Sequence, residues 1–224
     1  MTLDASTDAP PEWALVLPLK GGPAAKSRLG SGRRLAHAIA MDCLDAALGC
    51  RDVGTVLVVT ADPGTAAEAG AAGAVVVAET RPGAGLVEAV RDALAALPAA
   101  AAPTAVLLGD LPALRPADLG AGLRAVGGAL HPASRARMAA VPDAEGSGTV
   151  LLAARSAADL DPAFGRDSLA AHRRRGAVVV LPDLGRDGDR LRRDVDTPAD
   201  LRVALALGVG PRTAALIGGA RSAS

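Results

Sequence analysis

Aromatic side chains are almost absent from this chain: Trp13 and Phe164 are the only two in 224 residues, and there is no tyrosine. That removes the stacking platforms on which single-strand nucleic-acid binders rest bases. Net charge is missing as well. Lys plus Arg and Asp plus Glu balance at 24 each, so no global field gathers nucleic acid or an anionic membrane surface. No apolar run reaches the roughly 18 residues needed to span a bilayer. The opening MTLDASTDAPPEW is acidic and proline-rich, unlike a secretory signal, which is basic and then apolar. The expectation is a cytoplasmic protein that uses neither nucleic acid nor membrane, with residues 1–12 as a disordered leader, 13–218 as one domain and 219–224 as a flexible tail. Cysteine is limited to Cys43 and Cys50, seven apart on one face of an expected helix. With no further Cys or His beside them to complete a metal set, they read as small buried hydrophobes.

Lysine is the scarcest charge. The two lysines, Lys20 and Lys26, both fall in LPLKGGPAAKSRLG, and every other residue with a permanent positive charge is arginine. An ammonium is a compact charge that can follow a phosphate. Placed around Gly21-Gly22 directly after an apolar run, the two lysines and Arg28 point to a phosphate-holding loop, with backbone N–H groups of the turn as donors. The segment does not fit the Walker A pattern. That pattern needs glycine at positions 20 and 25, where this chain has Lys20 and Ala25, and Pro23 stiffens the middle.

What the chain has in abundance is Ala, Val and Leu, in alternating strand-like and helix-like stretches. Expected strands are Trp13 to Leu19, Thr55 to Thr60, Ala74 to Val77 and Ala105 to Leu108, separated by helices at Arg33 to Leu48, after Asp62-Pro63, and at Leu86 to Leu97. Pro116 sits where a helix N1 proline belongs. Such alternation predicts a parallel sheet with right-handed crossovers. The pattern then changes: Arg137 to Val141 and Thr149 to Ala154 read as strands joined by PDAEGSG, suggesting a hairpin and a mixed sheet edge. A helix near Ser168 to Arg175 and the strand AVVVL follow. Thr197-Pro198-Ala199-Asp200 carries helix-start signals.

In open sheets of this kind ligands collect beyond the carboxyl ends of the strands. Three loops belong there: the lysine loop, Gly109-Asp110, and Asp194-Val195-Asp196 after a late strand. Asp194 and Asp196, one residue apart in an extended segment, point the same way. With Asp110 they form an oxygen donor set suited to magnesium, Mg(2+), which takes a few carboxylates together with substrate phosphates. Helix capping explains one of the later pair, and a turn before proline explains Asp110, so both readings stand at this level. A second cluster lies in GSGTVLLAA and FGRDSLAAHRRRG. Thr149 offers a hydroxyl at a strand start, Gly165 permits close backbone approach, and Ser168 opens a helix where a phosphate or carboxylate can bind. A hairpin turn and an N-cap account for the same residues. His172, among Arg173 to Arg175, reads as a solvated helix residue.

Taken together, the lysine loop, GDLPAL, GSGT, FGRDSLAAHRR, DVDTPADL and the late LGVGP resemble the guanylyltransferases of coenzyme F-420 biosynthesis, which join GTP to phosphoenolpyruvate or 2-phospho-L-lactate. The resemblance spans nearly the whole chain, and the combined motifs are similar to the branch associated with phosphoenolpyruvate. It implies a single Rossmann-like α/β domain of the nucleotide-diphospho-sugar transferase type, a mostly parallel mixed sheet with helices on both faces. It implies Asp110, Asp194 and Asp196 as metal ligands and Thr149, Gly165 and Ser168 as the phosphoenolpyruvate cradle. Lys20, Gly21, Gly22, Lys26 and Gly109 would hold GTP, with Lys26 and Arg28 offsetting charge during transfer. Leu86-Val87 stands where the family often has Leu-Asn, so no guanine-selecting residue is assigned. A homodimer and a downstream transferase that accepts the product are further expectations. Rival readings are another nucleotidyltransferase of this fold, with a molybdopterin or sugar-phosphate acceptor, and a non-catalytic nucleotide-binding module.

Overall fold

The structure is a computed structural model that describes residues 12–19, 32–98, 102–182 and 189–221. The lysine loop, with Lys20, Gly21, Gly22, Lys26 and Arg28, lies outside the described residues, as do 1–11 of the leader and 222–224 of the tail.

Seven strands form one sheet: β1 (Trp13–Pro18), β2 (Val53–Thr60), β3 (Val75–Ala78), β4 (Thr104–Leu107), β5 (Met138–Pro142), β6 (Thr149–Ala154) and β7 (Ala177–Val179). Their order is β3-β2-β1-β4-β6-β5-β7. All neighbouring strands are parallel except β6, which runs antiparallel to both β4 and β5. The antiparallel pair therefore lies inside the sheet, and the edge on that side is β7. The expectation of a mixed edge is corrected accordingly: β6 fills the place beside β4.

Burial explains why the strands read as unbroken apolar runs. Along β1, Leu15 and Leu17 enter one core cluster while Val16 enters the other. Val56 and Val58 of β2 likewise face the first cluster, and Leu57 and Val59 the second. With both faces covered, strict polar alternation has no place. Each fully buried Val or Leu contributes about 1.5–3 kcal/mol relative to exposure.

The helices are α1 (Gly32–Leu48), α2 (Pro63–Ala71), α3 (Leu86–Ala95), α4 (Pro116–Ala129), α5 (Ser168–Arg174), α6 (Asp189–Arg192), α7 (Pro198–Leu207) and α8 (Pro211–Arg221). Asp62 caps α2 by accepting from Thr65 N at 2.9 Å, and Thr197 with Asp200 forms a reciprocal capping box at α7. Helix α8 runs to Arg221. Its N-terminus is held by a residue far away in sequence: Asp42, 5 % exposed on α1, accepts from Arg212 N at 3.0 Å and Thr213 N at 2.8 Å. Cys43 and Cys50 are both buried and free. Cys50 lies beyond the end of α1 rather than on its face, and the Cys43 thiol donates to Leu108 O at 3.6 Å. No single helix among the described residues is long and apolar enough to cross a membrane.

Candidate active site

The topology gathers the loops that matter. Strand order reverses direction of growth between β1 and β4, so their carboxyl ends open a crevice side by side. Gly109 follows β4 at that point. A Cβ there would overlap Leu19 Cδ2 and approach Pro18 O to 3.4 Å. Glycine lets the end of β4 pass this close to Leu19, the residue that leads into the lysine loop, without moving its buried side chain. Because β6 runs the other way, its first residue, Thr149, lies at the same end of the sheet, opposite Pro142 of β5. Leu108 N donates to Val150 O at 2.9 Å, tying the exit of β4 to the entry of β6.

The Asp194–Asp196 loop is anchored by the residue between its acids. Val195 is fully buried in a cluster with Leu35, Ile39 and Ala204, and its N–H donates to Asp110 O at 3.1 Å. This loop follows the short helix α6, not a strand as expected. A third segment joins it, since Ala144 N donates to Arg192 O at 2.8 Å. Arg192 further donates from Nε to Pro142 O at 3.1 Å and from its terminal nitrogen to Asp143 O at 2.7 Å.

Among the described residues, Asp143, Glu145 and Asp194 come together as a candidate cation site, with one oxygen from each lying within 4.8 Å of the others. Asp194 is common to this group and to the expected trio. Asp110 and Asp196 flank it closely enough to act on its charge. Burial pushes the Asp194 carboxyl up to about 7, and the negative charges of Asp110, Asp143, Asp196 and Glu145 add to the rise. Its Oδ1 is buried and meets no hydrogen-bond donor among the described residues. A carboxylate so placed is under-compensated, and a divalent cation is the group that fits it. Asp196 is exposed, and its backbone N–H donates to Asp200 Oδ2 at 3.2 Å.

Asp143 and Glu145 were not singled out in the sequence, where PDAEGSG reads as a hairpin turn. Asp143 does shape that turn: its Oδ1 accepts from Ser147 N at 2.9 Å and its Oδ2 from Gly148 N at 2.6 Å. The available signal was topological. An acid just past the carboxyl end of a buried strand falls on the ligand side of the sheet, as Asp110 does.

Thr149 and the start of α5, which carries Ser168, come together next to this group. Leu169 N donates to Ser147 O at 3.1 Å, docking the start of α5 onto the PDAEGSG turn. Gly165 is exposed with φ +141°, a backbone conformation that glycine adopts without strain. Thr149 and Ser168 are buried. The partner of Thr149 is His172, which is wholly buried rather than solvated as its arginine neighbours suggest. The reason is helical spacing: His172 lies four residues after Ser168, on the face of α5 that turns inward. Thr149 Oγ1 lies 2.9 Å from His172 Nδ1, and Ala163 N donates to His172 Nε2 at 2.9 Å. Phe164 meets the imidazole edge-on at 5.0 Å.

Residues 27–185 match the family model described as MobA-like NTP transferase domain. A phosphoenolpyruvate guanylyltransferase from Salinispora arenicola is 49 % identical over 212 residues, covering 92 % of this chain and 94 % of its own. One of the same name from Thermomonospora curvata is 47 % identical, covering 96 % and 93 %; another, from Streptomyces coelicolor, is 47 % identical, covering 92 % and 95 %. Among solved structures, a nucleotidyl transferase from Methanothermobacter thermautotroptrophicus aligns with TM-score 0.57 and 18 % identity over 88 % of this chain and 97 % of that one. The 4-diphosphocytidyl-2C-methyl-D-erythritol synthase of Anaerococcus prevotii aligns with TM-score 0.52 and 11 % identity over 87 % and 97 %. These structures show the shared fold, a single nucleotide-diphospho-sugar transferase-type α/β domain. With its MobA-like NTP transferase domain and three relatives close to half identical along nearly their whole length, the chain belongs to the phosphoenolpyruvate guanylyltransferase family of nucleotidyltransferases.

Proposed function

We propose that this protein transfers GMP from GTP to phosphoenolpyruvate, giving enolpyruvyl-diphospho-5'-guanosine and pyrophosphate, as a cytoplasmic step of coenzyme F-420 biosynthesis. The observation that carries the reading is the convergence of Asp110, Asp143, Glu145 and Asp194 beside Thr149 at the carboxyl end of the sheet. A site with that much negative charge cannot receive two phosphorylated substrates unless cations neutralise them.

Magnesium is the cation proposed, held by Asp194 with Asp110 and Asp196, and with Asp143 and Glu145 as nearby donors. When bound, it supplies charge neutralisation for the nucleotide phosphates and a fixed template for in-line displacement. The remaining work falls to the chain. Gly109 keeps the crevice between β1 and β4 narrow. Lys20 and Lys26, around Gly21 and Gly22, hold the GTP phosphates, and Lys26 with Arg28 offsets the charge that grows on departing pyrophosphate. Thr149, Gly165 and Ser168 receive the phosphate and carboxylate of the acceptor. The acceptor phosphate has its second pKa at about 6 and is largely ionised near neutrality, so no general base is required. Its oxygen bonds to the α-phosphorus of GTP as the bond from that phosphorus to the bridging oxygen breaks, and pyrophosphate carries away the electron pair.

The product is a mixed diphosphate with a good GMP leaving group, which calls for a downstream transferase that consumes it. The test is pyrophosphate release from GTP and magnesium, with phosphoenolpyruvate, 2-phospho-L-lactate or 3-phosphoglycerate supplied one at a time. Release that requires phosphoenolpyruvate is expected. Release that prefers another acceptor, or none, contradicts the reading.

A further inference from the structure

His172 is a buried imidazole with both ring nitrogens engaged, and those two bonds fix its proton. Ala163 N is a backbone donor, so Nε2, at 2.9 Å, must accept. The ring is neutral, because burial and the positive charge of Arg175 pull its pKa down to about 4. The single ring proton therefore sits on Nδ1 and is donated to Thr149 Oγ1 at 2.9 Å. A hydroxyl that accepts from His172 has its own proton left to give elsewhere.

We propose that His172 is a positioning residue for the anionic acceptor: it orients the Thr149 hydroxyl as a donor toward a phosphate or carboxylate oxygen and fixes the 163–168 loop to the start of β6. The inference rests on the reading of Thr149, Gly165 and Ser168 as the acceptor cradle. Three observations carry it. The imidazole is 0 % exposed, so it cannot touch the substrate and acts only through its partners. Those partners lie on two separate segments, β6 and the loop that carries Gly165, and one ring sets their distance. Phe164, next to Gly165, packs edge-on against the same ring at 5.0 Å, which limits rotation about its long axis.

Two substitutions separate the bonds. His172→Asn keeps an N–H donor near the Nδ1 position and loses the acceptor for Ala163. His172→Gln keeps an acceptor near the Nε2 position and loses the donor to Thr149, leaving the hydroxyl free to turn its proton inward. The measurement is KM and kcat for phosphoenolpyruvate and for GTP, by pyrophosphate release on the full chain with magnesium. His172→Gln is expected to raise KM for phosphoenolpyruvate about tenfold or more, the loss of one hydrogen bond to a charged group, and His172→Asn to stay within about threefold of wild type on the same scale. KM for GTP should move less than about twofold in both.

Thr149→Val should reproduce the His172→Gln defect, Thr149→Ser should restore most of the affinity, and the Thr149→Val/His172→Gln double variant should be no worse than the worse single. The Thr149 pair decides the matter even if a His172 variant does not fold. Equal loss for both substrates, an unchanged KM for phosphoenolpyruvate in His172→Gln, or additive defects in the double variant would overturn the proposal while leaving the guanylyltransferase reading intact. Wild-type protein that releases no pyrophosphate with phosphoenolpyruvate overturns both.

Discussion

Replacing Asp194 by asparagine should make the metal-free protein more stable and the enzyme nearly inactive. Its carboxyl rises from 3.8 to about 7 through burial and four neighbouring acids. The folded state therefore keeps a proton that the unfolded chain gives up near pH 4. Between about pH 4 and 7 the folded state binds more protons, so stability falls as pH rises, and the whole penalty is present above 7. At 1.36 kcal/mol per pH unit the rise corresponds to about 4 kcal/mol. The carboxylate is only half-buried, and solvent screening brings the effect to about 2 kcal/mol. Asp194→Asn removes that cost, so at pH 8 without divalent metal the variant should melt roughly 4–8 °C above wild type, the gap closing below about pH 4. Added magnesium should stabilise wild type more than the variant, because binding to the folded state adds stability in proportion to its affinity. Turnover should fall by about two orders of magnitude or more, since one donor to the cation is lost. Thermal melts at both pH values, with and without magnesium, test this. A variant less stable than wild type at pH 8, or equal magnesium stabilisation of both, would refute the electrostatic reasoning.

Three further outcomes follow from the same structure. Asp42→Ala should cost about 2–4 kcal/mol in urea unfolding, because a buried carboxylate satisfies the Arg212 and Thr213 N–H groups that open α8; Asp42→Asn should recover part of it. His172 has its pKa lowered to about 4, so the unfolded chain takes up its proton first as pH drops below about 6.5. Stability should then decline by up to roughly 3 kcal/mol between pH 6.5 and 4, and His172→Asn should flatten that part of the pH profile. Gly109→Ala should reduce GTP turnover by about tenfold with a smaller change in melting temperature, because the added methyl forces the buried Leu19 side chain to shift at the mouth of the crevice.

Local pattern carried most of the architecture. Apolar runs such as VLVVT and the Pro116 start signal give strands and helices at the observed places, because burial on both faces and capping act within a few residues. Features set by distant contacts were not readable. Helix α8 has a weak apolar face, with Gly218 and Gly219 in it, and is begun by a carboxylate on α1. Asp143 and Glu145 meet Asp194 only because β5 ends beside the α6–α7 connection. His172 was hidden by the three arginines after it, although its spacing from Ser168 marked the inward face. Motif and chemistry point to Asp110, Asp194 and Thr149, which lie at one end of the sheet, and Ser168 opens the helix docked there by Leu169.

The most direct test follows the label from GTP carrying radioactive phosphorus at the α position, in a single turnover with phosphoenolpyruvate and magnesium. The account predicts that the label leaves GTP in step with pyrophosphate formation and appears in a product containing both guanosine and the enolpyruvyl group. Label that stays in GTP, or that is released as GMP without joining phosphoenolpyruvate, would contradict it.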